Sequence, residues 1–258
     1  MYLNKIYNMD CVDGLKQMSA ENIQVDCILT SPPYNIIRPN QNDRGYDLYN
    51  DGMSNEEYCD WVISLFNLFD DVLCKDGKIL WNMSYGSENT ECMSLAVADI
   101  LRRTNFTLAD ILVWKKSSAY PNDMSKNKLT RICEFVYVFC RRTEFDSFTT
   151  NKRVTSVRPT GQNNYENIFN IFEAPNNDGA NSLNKATFST EFVTKLLEIY
   201  CKKTETILDP FMGTGTTAVA CKRRGNKYIG FELSDKQCEY ATKWLSGNKT
   251  ISSLFWYR

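Results

Sequence analysis

Short apolar runs alternate along the chain with longer stretches in which apolar residues recur every three or four positions. That alternation of strand and helix rhythms predicts an α/β protein. The runs predict strands over residues 3–7, 25–29, 77–81, 107–114, 131–140, 207–209 and 228–231. The helical rhythm predicts helices over residues 12–18, 90–103, 190–201 and 216–224, the last closed by Gly225. A capping box, Ser54-Asn55-Glu56-Glu57, opens a further helix towards Leu73, with Trp61, Leu65, Phe66, Leu68, Phe69 and Val72 on its buried side. A second box, Ser234-Asp235-Lys236-Gln237, opens the final helix through Leu245. Strands 107–114 and 131–140 are placed to pair across the loop between them. Both rhythms fail over residues 35–51, which reads as a polar loop, and over residues 141–185, which reads as an irregular insertion or a disordered linker.

The strand at residues 25–29 continues through Thr30 and stops at Ser31-Pro32-Pro33-Tyr34. Proline donates no backbone hydrogen bond and pushes the residue before it into extended geometry. The sequence therefore predicts a stiff elbow at a strand's carboxyl end, with carbonyls and a hydroxyl turned outward. Open α/β sheets bind their ligands at that end. A second strand, Thr206-Ile207-Leu208-Asp209, runs into Pro210-Phe211-Met212-Gly213-Thr214-Gly215 and then a helix. Glycines there allow close backbone approach to a ligand, and Glu232 at the end of the next strand is placed to bond ribose hydroxyls. The pattern lacks the lysine of a phosphate loop, which argues against a nucleotide triphosphatase.

Composition narrows the chemistry. The chain has 258 residues, 43% of them hydrophobic, and no histidine. Histidine-based hydrolase triads and zinc sites are thereby disfavoured, and no metal is expected. Ten cysteines with no Cys-x-x-Cys pair read as small buried residues of a reducing compartment. Neither a signal peptide nor a membrane span is expected from the apolar runs. Net charge is −1, but residues 102–158 carry 12 Lys and Arg against 5 Asp and Glu, a local excess that suits a polyanion. Ordinary charged loops are the plainer account of the same count.

Taken alone, such a tetrapeptide is an ordinary turn; after an apolar strand and beside a nucleoside loop, it suits a chemical task. An amino group conjugated to a heteroaromatic ring is a poor nucleophile because its lone pair is delocalised. Acceptors at the Ser31 hydroxyl and Pro32 carbonyl would hold its hydrogens and aim the lone pair, so that orientation and preorganised electrostatics supply the rate. Tyr34 would stack on the ring. A base within a duplex reaches such a pocket only when flipped out.

These segments resemble the DNA amino-methyltransferases, which move a methyl group from S-adenosylmethionine to the exocyclic nitrogen of adenine or cytosine. Thr30-Ser31-Pro32-Pro33-Tyr34-Asn35 resembles the catalytic motif of that family, and residues 209–217 its cofactor motif. Tyr7-Asn8-Met9-Asp10-Cys11, Asn184-Lys185-Ala186-Thr187-Phe188, Trp114-Lys115-Lys116 and residues 131–134 resemble further family segments. The catalytic motif precedes the cofactor motif, which is the family's beta arrangement.

The resemblance implies a Rossmann-like methyltransferase fold with a mixed, mostly parallel sheet. Residues 1–140 would form the catalytic half, 141–185 a target-recognition insertion, and 186–258 the cofactor half. Catalysis would fall to Ser31, Pro32, Pro33 and Tyr34. Asp10, Cys11, Ser31, Thr187, Asp209, Phe211, Gly213, Gly215, Thr216, Thr217 and Glu232 would bind S-adenosylmethionine. Asp10 would meet the adenine amine, Phe211 the adenine face, Thr216 and Thr217 the methionine part. Residues 35–51 would be a second DNA-contacting loop. Implied partners are double-stranded DNA, a second copy of the chain and a cognate restriction endonuclease, for a cytoplasmic, nucleoid-associated enzyme. Ser31 in the first motif position favours cytosine N4, with adenine N6 as the alternative. RNA or protein-glutamine amides are more distant substrates, and a DNA-binding module with an idle cofactor fold is the non-enzyme alternative.

Overall fold

The computed structural model describes residues 1–35, 52–84, 89–119, 123–179, 183 and 187–247. The chain opens with β1 (Lys5–Asn8), α1 (Cys11–Ala20) and β2 (Val25–Thr30), followed by α2 (Asn55–Val72), β3 (Leu73–Met83) and α3 (Thr90–Arg103). Next come β4 (Phe106–Lys116), β5 (Cys133–Arg141) and three short strands, β6 (Val154–Val157), β7 (Asn163–Tyr165) and β8 (Ile171–Ala174). The last third is α4 (Thr190–Tyr200), β9 (Thr206–Asp209), α5 (Thr216–Arg224), β10 (Lys227–Glu232) and α6 (Asp235–Leu245). Eight strands form one sheet in the order β1-β10-β9-β2-β3-β5-β4-β8. From β1 to β3 all neighbours are parallel; β5 runs against both β3 and β4, and β8 is parallel to β4.

Apolar stripes on the helices decide the layers. α1, α2 and α3 bury Leu15, Met18, Phe66, Phe69 and Ile100 against one face of the sheet. α4 and α5 bury Phe192, Leu196, Leu197, Ala218 and Cys221 against the other. Each of the Leu, Ile, Met and Phe side chains among them contributes roughly 1.5–3 kcal/mol when fully buried. Between the layers, β2 and β9 lie side by side and their crossovers leave in opposite directions, β2 to β3 and β9 to β10. This reversal opens a crevice at the carboxyl ends of the strands. The proline elbow and the glycine turn both sit there.

Three expectations change. Residues 141–185 are not patternless: β6 and β7 form an antiparallel ribbon, and β8 joins the main sheet through Val113↔Ile171 to Lys116↔Ala174. The Trp114 indole fastens β8 by donating to the Ala174 carbonyl at 3.1 Å. A four-residue strand flanked by Asn and Pro is too short to show alternation. Second, the box at Ser54 closes in both directions (3.2 and 2.8 Å), but that at Ser234 does not form as expected. Ser234 Oγ accepts from Gln237 N at 3.4 Å, while the Ser234 N–H donates to Glu232 Oε1 at 2.9 Å. Third, Cys133 is half-buried, as are Cys74 and Cys238; the other seven cysteines are buried, and all ten are free thiols. Among the described residues no helix is long and apolar enough to cross a membrane. Residues 36–51 of the expected polar loop, and residues 184–186 of the segment before Thr187, lie outside the described residues.

Candidate active site

Asp209 joins the two motifs. Its Oδ1 accepts from Thr30 Oγ1 at 2.6 Å and from the Phe211 N–H at 3.0 Å, and its Oδ2 accepts from Thr217 Oγ1 at 2.6 Å. The last residue of the elbow strand, the glycine turn and the first turn of α5 thus share one carboxylate. The group is 1% exposed, and burial outweighs its three hydrogen bonds, pushing the carboxyl up to about 6.

A raised carboxyl has a defined effect on stability. Below about pH 4 both folded and unfolded chains hold this proton, and Asp209 costs nothing. Between about pH 4 and 6 the unfolded chain ionises first, so the contribution opposes folding as pH rises, then levels off at up to ~3 kcal/mol. Asp209→Asn keeps the acceptor for Thr30 and Phe211 and places an amide donor opposite the Thr217 oxygen. It is therefore expected to gain stability over the parent between pH 4 and 6, as read by urea melts across that range. A constant difference between the two proteins would refute the assignment.

The elbow is fixed group by group. Tyr58 on α2 donates its hydroxyl to the Pro33 carbonyl at 2.8 Å, and Asn89 Nδ2 donates to the Tyr34 carbonyl at 2.7 Å. Asn35, in the left-handed region at φ 51, grips Met53 by donating to its carbonyl (2.9 Å) and accepting from its N–H (3.0 Å). The Tyr34 hydroxyl shares a hydrogen bond with Ser31 Oγ and accepts from Asn82 Nδ2 at 3.0 Å. Among the described residues none donates to the Pro32 carbonyl.

Above the elbow lies a cleft of about 1020 Å³, part of it open to solvent. Asp10, Cys11, Ser31, Pro32, Pro33, Tyr34, Thr187, Phe211, Gly213, Thr216 and Glu232 all line it. Asp209, Gly215 and Thr217 are not in its wall; Asp209 and Thr217 are turned inward to each other, and Gly215 packs against α6. Asp10 caps α1, its Oδ1 accepting from Val12 N at 2.8 Å. The Glu232 carboxylate accepts from Gly213 N at 2.8 Å and from Ser234 N at 2.9 Å, and burial raises its carboxyl above the ordinary range. Two backbone donors fix its plane and leave further lone pairs for a vicinal diol. Burial likewise pushes the Cys11 thiol up to about 12, so this cleft residue is a neutral thiol at pH 7.

Sequence reasoning missed part of the wall. Trp61, assigned to the buried side of α2, is half-buried against the core and also lines the cleft, with its ring 5.8 Å from that of Phe211. It follows Tyr58 by three residues, so one helical face supplies both an elbow clamp and an aromatic wall. Phe231 and Gln237 also line the cleft. The basic count overstated the free charge: Arg102, Arg103, Lys115, Lys116, Arg141 and Arg153 all stand in ion pairs.

Residues 25–243 match the family of N6 and N4 methyltransferases described as DNA methylase. The chain belongs to this DNA methylase family. The Type II methyltransferase M.Cfr9I of Citrobacter freundii is 24% identical over 95% of the chain and 88% of its own length. M.HinfI of Haemophilus influenzae is also 24% identical, over 94% of the chain and 68% of its own length. Among solved structures, the cytosine-N4-specific PvuII DNA methyltransferase superposes with a TM-score of 0.68 at 18% identity, covering 92% of the chain and 84% of its own. The M1.HpyAVI–SAM complex gives 0.62 at 22% identity, covering 93% and 98%. The fold is therefore the Rossmann-like fold of the methyltransferases, with the mixed sheet described above.

Proposed function

We propose that this DNA methylase transfers a methyl group from S-adenosylmethionine to the exocyclic amino nitrogen of a base flipped out of double-stranded DNA, cytosine N4 in preference to adenine N6. One observation carries the reading: a cleft fit for a nucleoside and the acceptor-rich elbow share one space. Glu232, held by two backbone N–H groups, suits a ribose diol, and Phe211, Trp61 and Phe231 offer apolar walls to an adenine ring. Asp10 and Thr216 stand at the same wall for the polar ends of the cofactor. When bound, S-adenosylmethionine supplies a methyl group activated by its sulfonium.

The elbow acts on the acceptor base. The Pro32 carbonyl and Ser31 Oγ take hydrogen bonds from the amino group, so the nitrogen lone pair turns away from the ring and towards the cofactor side of the cleft. As positive charge develops on nitrogen, these two oxygens stabilise it without reorganising. Methylation of the amino nitrogen would leave one surplus proton, which would pass to water, since the chain has no imidazole to receive it. Flipping is required because an amino group within a duplex cannot reach the elbow. The β6–β7 ribbon, exposed along most of its length, is the candidate for reading DNA sequence, because a major groove admits a two-stranded ribbon. The preference for cytosine rests on the family resemblance, in which Ser in the first motif position goes mostly with cytosine N4; the neutrality of the Ser31 hydroxyl does not by itself select a ring.

The test is transfer of a tritiated methyl group to unmethylated genomic DNA, followed by nucleoside mass spectrometry. N4-methylcytosine is expected. N6-methyladenine as the sole product would overturn the base preference, and no transfer at all would overturn the reaction.

A further inference from the structure

Behind the elbow the chain buries a line of polar groups that the reaction above does not use. Asn82, near the end of β3, is 1% exposed, and its Nδ2 donates both to the Tyr34 hydroxyl (3.0 Å) and to Glu134 Oε2 (2.8 Å). Glu134, on β5 and 7% exposed, pairs through Oε1 with Lys116 on β4. The Lys116 ammonium also sits 5.4 Å from the centre of the Trp114 ring. Three neighbouring strands, β3, β5 and β4, thus contribute one residue each to a rank that ends on the catalytic motif.

Asn82 Oδ1 is buried without a hydrogen-bond partner. A half-turn of the amide would offer that oxygen to the Tyr34 hydroxyl, and Glu134 forbids it. A carboxylate only accepts, so it attracts the amide nitrogen and repels the oxygen. Its other oxygen is engaged by Lys116, which leaves Oε2 to face the amide. Asn82 therefore meets Tyr34 as a donor and does not compete with Ser31 for the phenolic proton. Both amide hydrogens of Asn82 are committed, one to Tyr34 and one to Glu134.

We propose that Asn82, locked by Glu134 and Lys116, is a positioning residue for methyl transfer: it holds the Tyr34 hydroxyl against Ser31 and so fixes the acceptor that meets the amino group. This rests on the methyl-transfer reading of the site. Glu134→Gln removes the lock while keeping the shape, because a glutamine can donate to Asn82 Oδ1 and let the amide turn.

The experiment is a double-mutant cycle with Tyr34→Phe, which deletes only the hydroxyl, scored by kcat and by KM for S-adenosylmethionine on an unmethylated DNA substrate. Glu134→Gln alone is expected to lower kcat roughly tenfold and leave KM within about twofold. In the Tyr34→Phe background it should lower kcat less than about twofold, since residues acting through one group are not additive. Asn82→Leu is run in the same cycle, so that poor folding of one variant leaves the other to decide. Equal losses in both backgrounds, or parental kcat in Glu134→Gln, would overturn the proposal and leave the reaction standing. No transfer by the unsubstituted protein would overturn the reaction and this proposal with it.

Discussion

Ser31→Ala is expected to lower the rate of methyl transfer by roughly 10²–10³-fold, the usual loss when one preorganised polar contact to a developing charge is removed. Affinity for S-adenosylmethionine should stay within about twofold. The separation follows from where the groups sit. Ser31 stands at the end of β2 with its hydroxyl bonded to Tyr34, whereas the proposed ribose and adenine contacts, Glu232 and Asp10, come from β10 and the start of α1. Alanine leaves the Pro32 carbonyl in place but takes away the second proposed acceptor, so the amino group would keep one anchor and lose its direction. Glu232→Ala is the matched control, because it removes the acceptor that Gly213 and Ser234 donate to and should weaken the cofactor first. Single-turnover transfer and cofactor titration on both variants decide the matter. If Ser31→Ala lost as much affinity as Glu232→Ala, the elbow would belong to the cofactor site and not to the base.

The parts of this site visible in the sequence are those that act through the backbone. Two prolines after an apolar run, and glycines after another, restrict or free φ and ψ locally, so elbow and turn could be placed without any partner in view. Glu232 could be placed because strand, turn, helix and strand fix its spacing. Asp209 shows the limit. Its position in the glycine motif suggested a ligand contact, but its oxygens are occupied by Thr30, Thr217 and the Phe211 N–H. The Thr30 bond spans 179 residues, and no local rhythm reports it. Asn82 was hidden for the same reason: it lies in an apolar strand where a polar residue is explained only by its neighbours across the sheet, and Glu134, though inside a segment that resembles the family's, gave no sign of that partner. β8 was lost to brevity, and the strand order was never encoded in any single segment.

Gly215→Ala is expected to destabilise the protein by about 2–5 kcal/mol, the sum of a left-handed backbone penalty of about 1–2 kcal/mol and an overpacking cost of about 1–3 kcal/mol. Gly215 caps α5 at φ 91, where only glycine is comfortable. An added Cβ would stand 2.7 Å from the Ala241 Cβ and 3.2 Å from its Cα, so the obstacle is the body of α6 and not a side chain that can swing aside. Ala241 is itself fully buried, which leaves α6 no easy retreat. Gly225, at the other end of α5, separates the two costs: it has nearly the same φ of 93, yet nothing lies within 4 Å of its added Cβ. Gly225→Ala should therefore show the backbone penalty alone. Urea melts of the two variants measure the difference directly, and equal destabilisation would mean that the contact with α6 is not real. The same displacement carries a functional consequence, because Gly215 precedes Thr216, whose side of the cleft is the first turn of α5. A helix pushed away from α6 moves that wall, so cofactor affinity should fall in Gly215→Ala and hold in Gly225→Ala, although Gly215 itself never reaches the cleft.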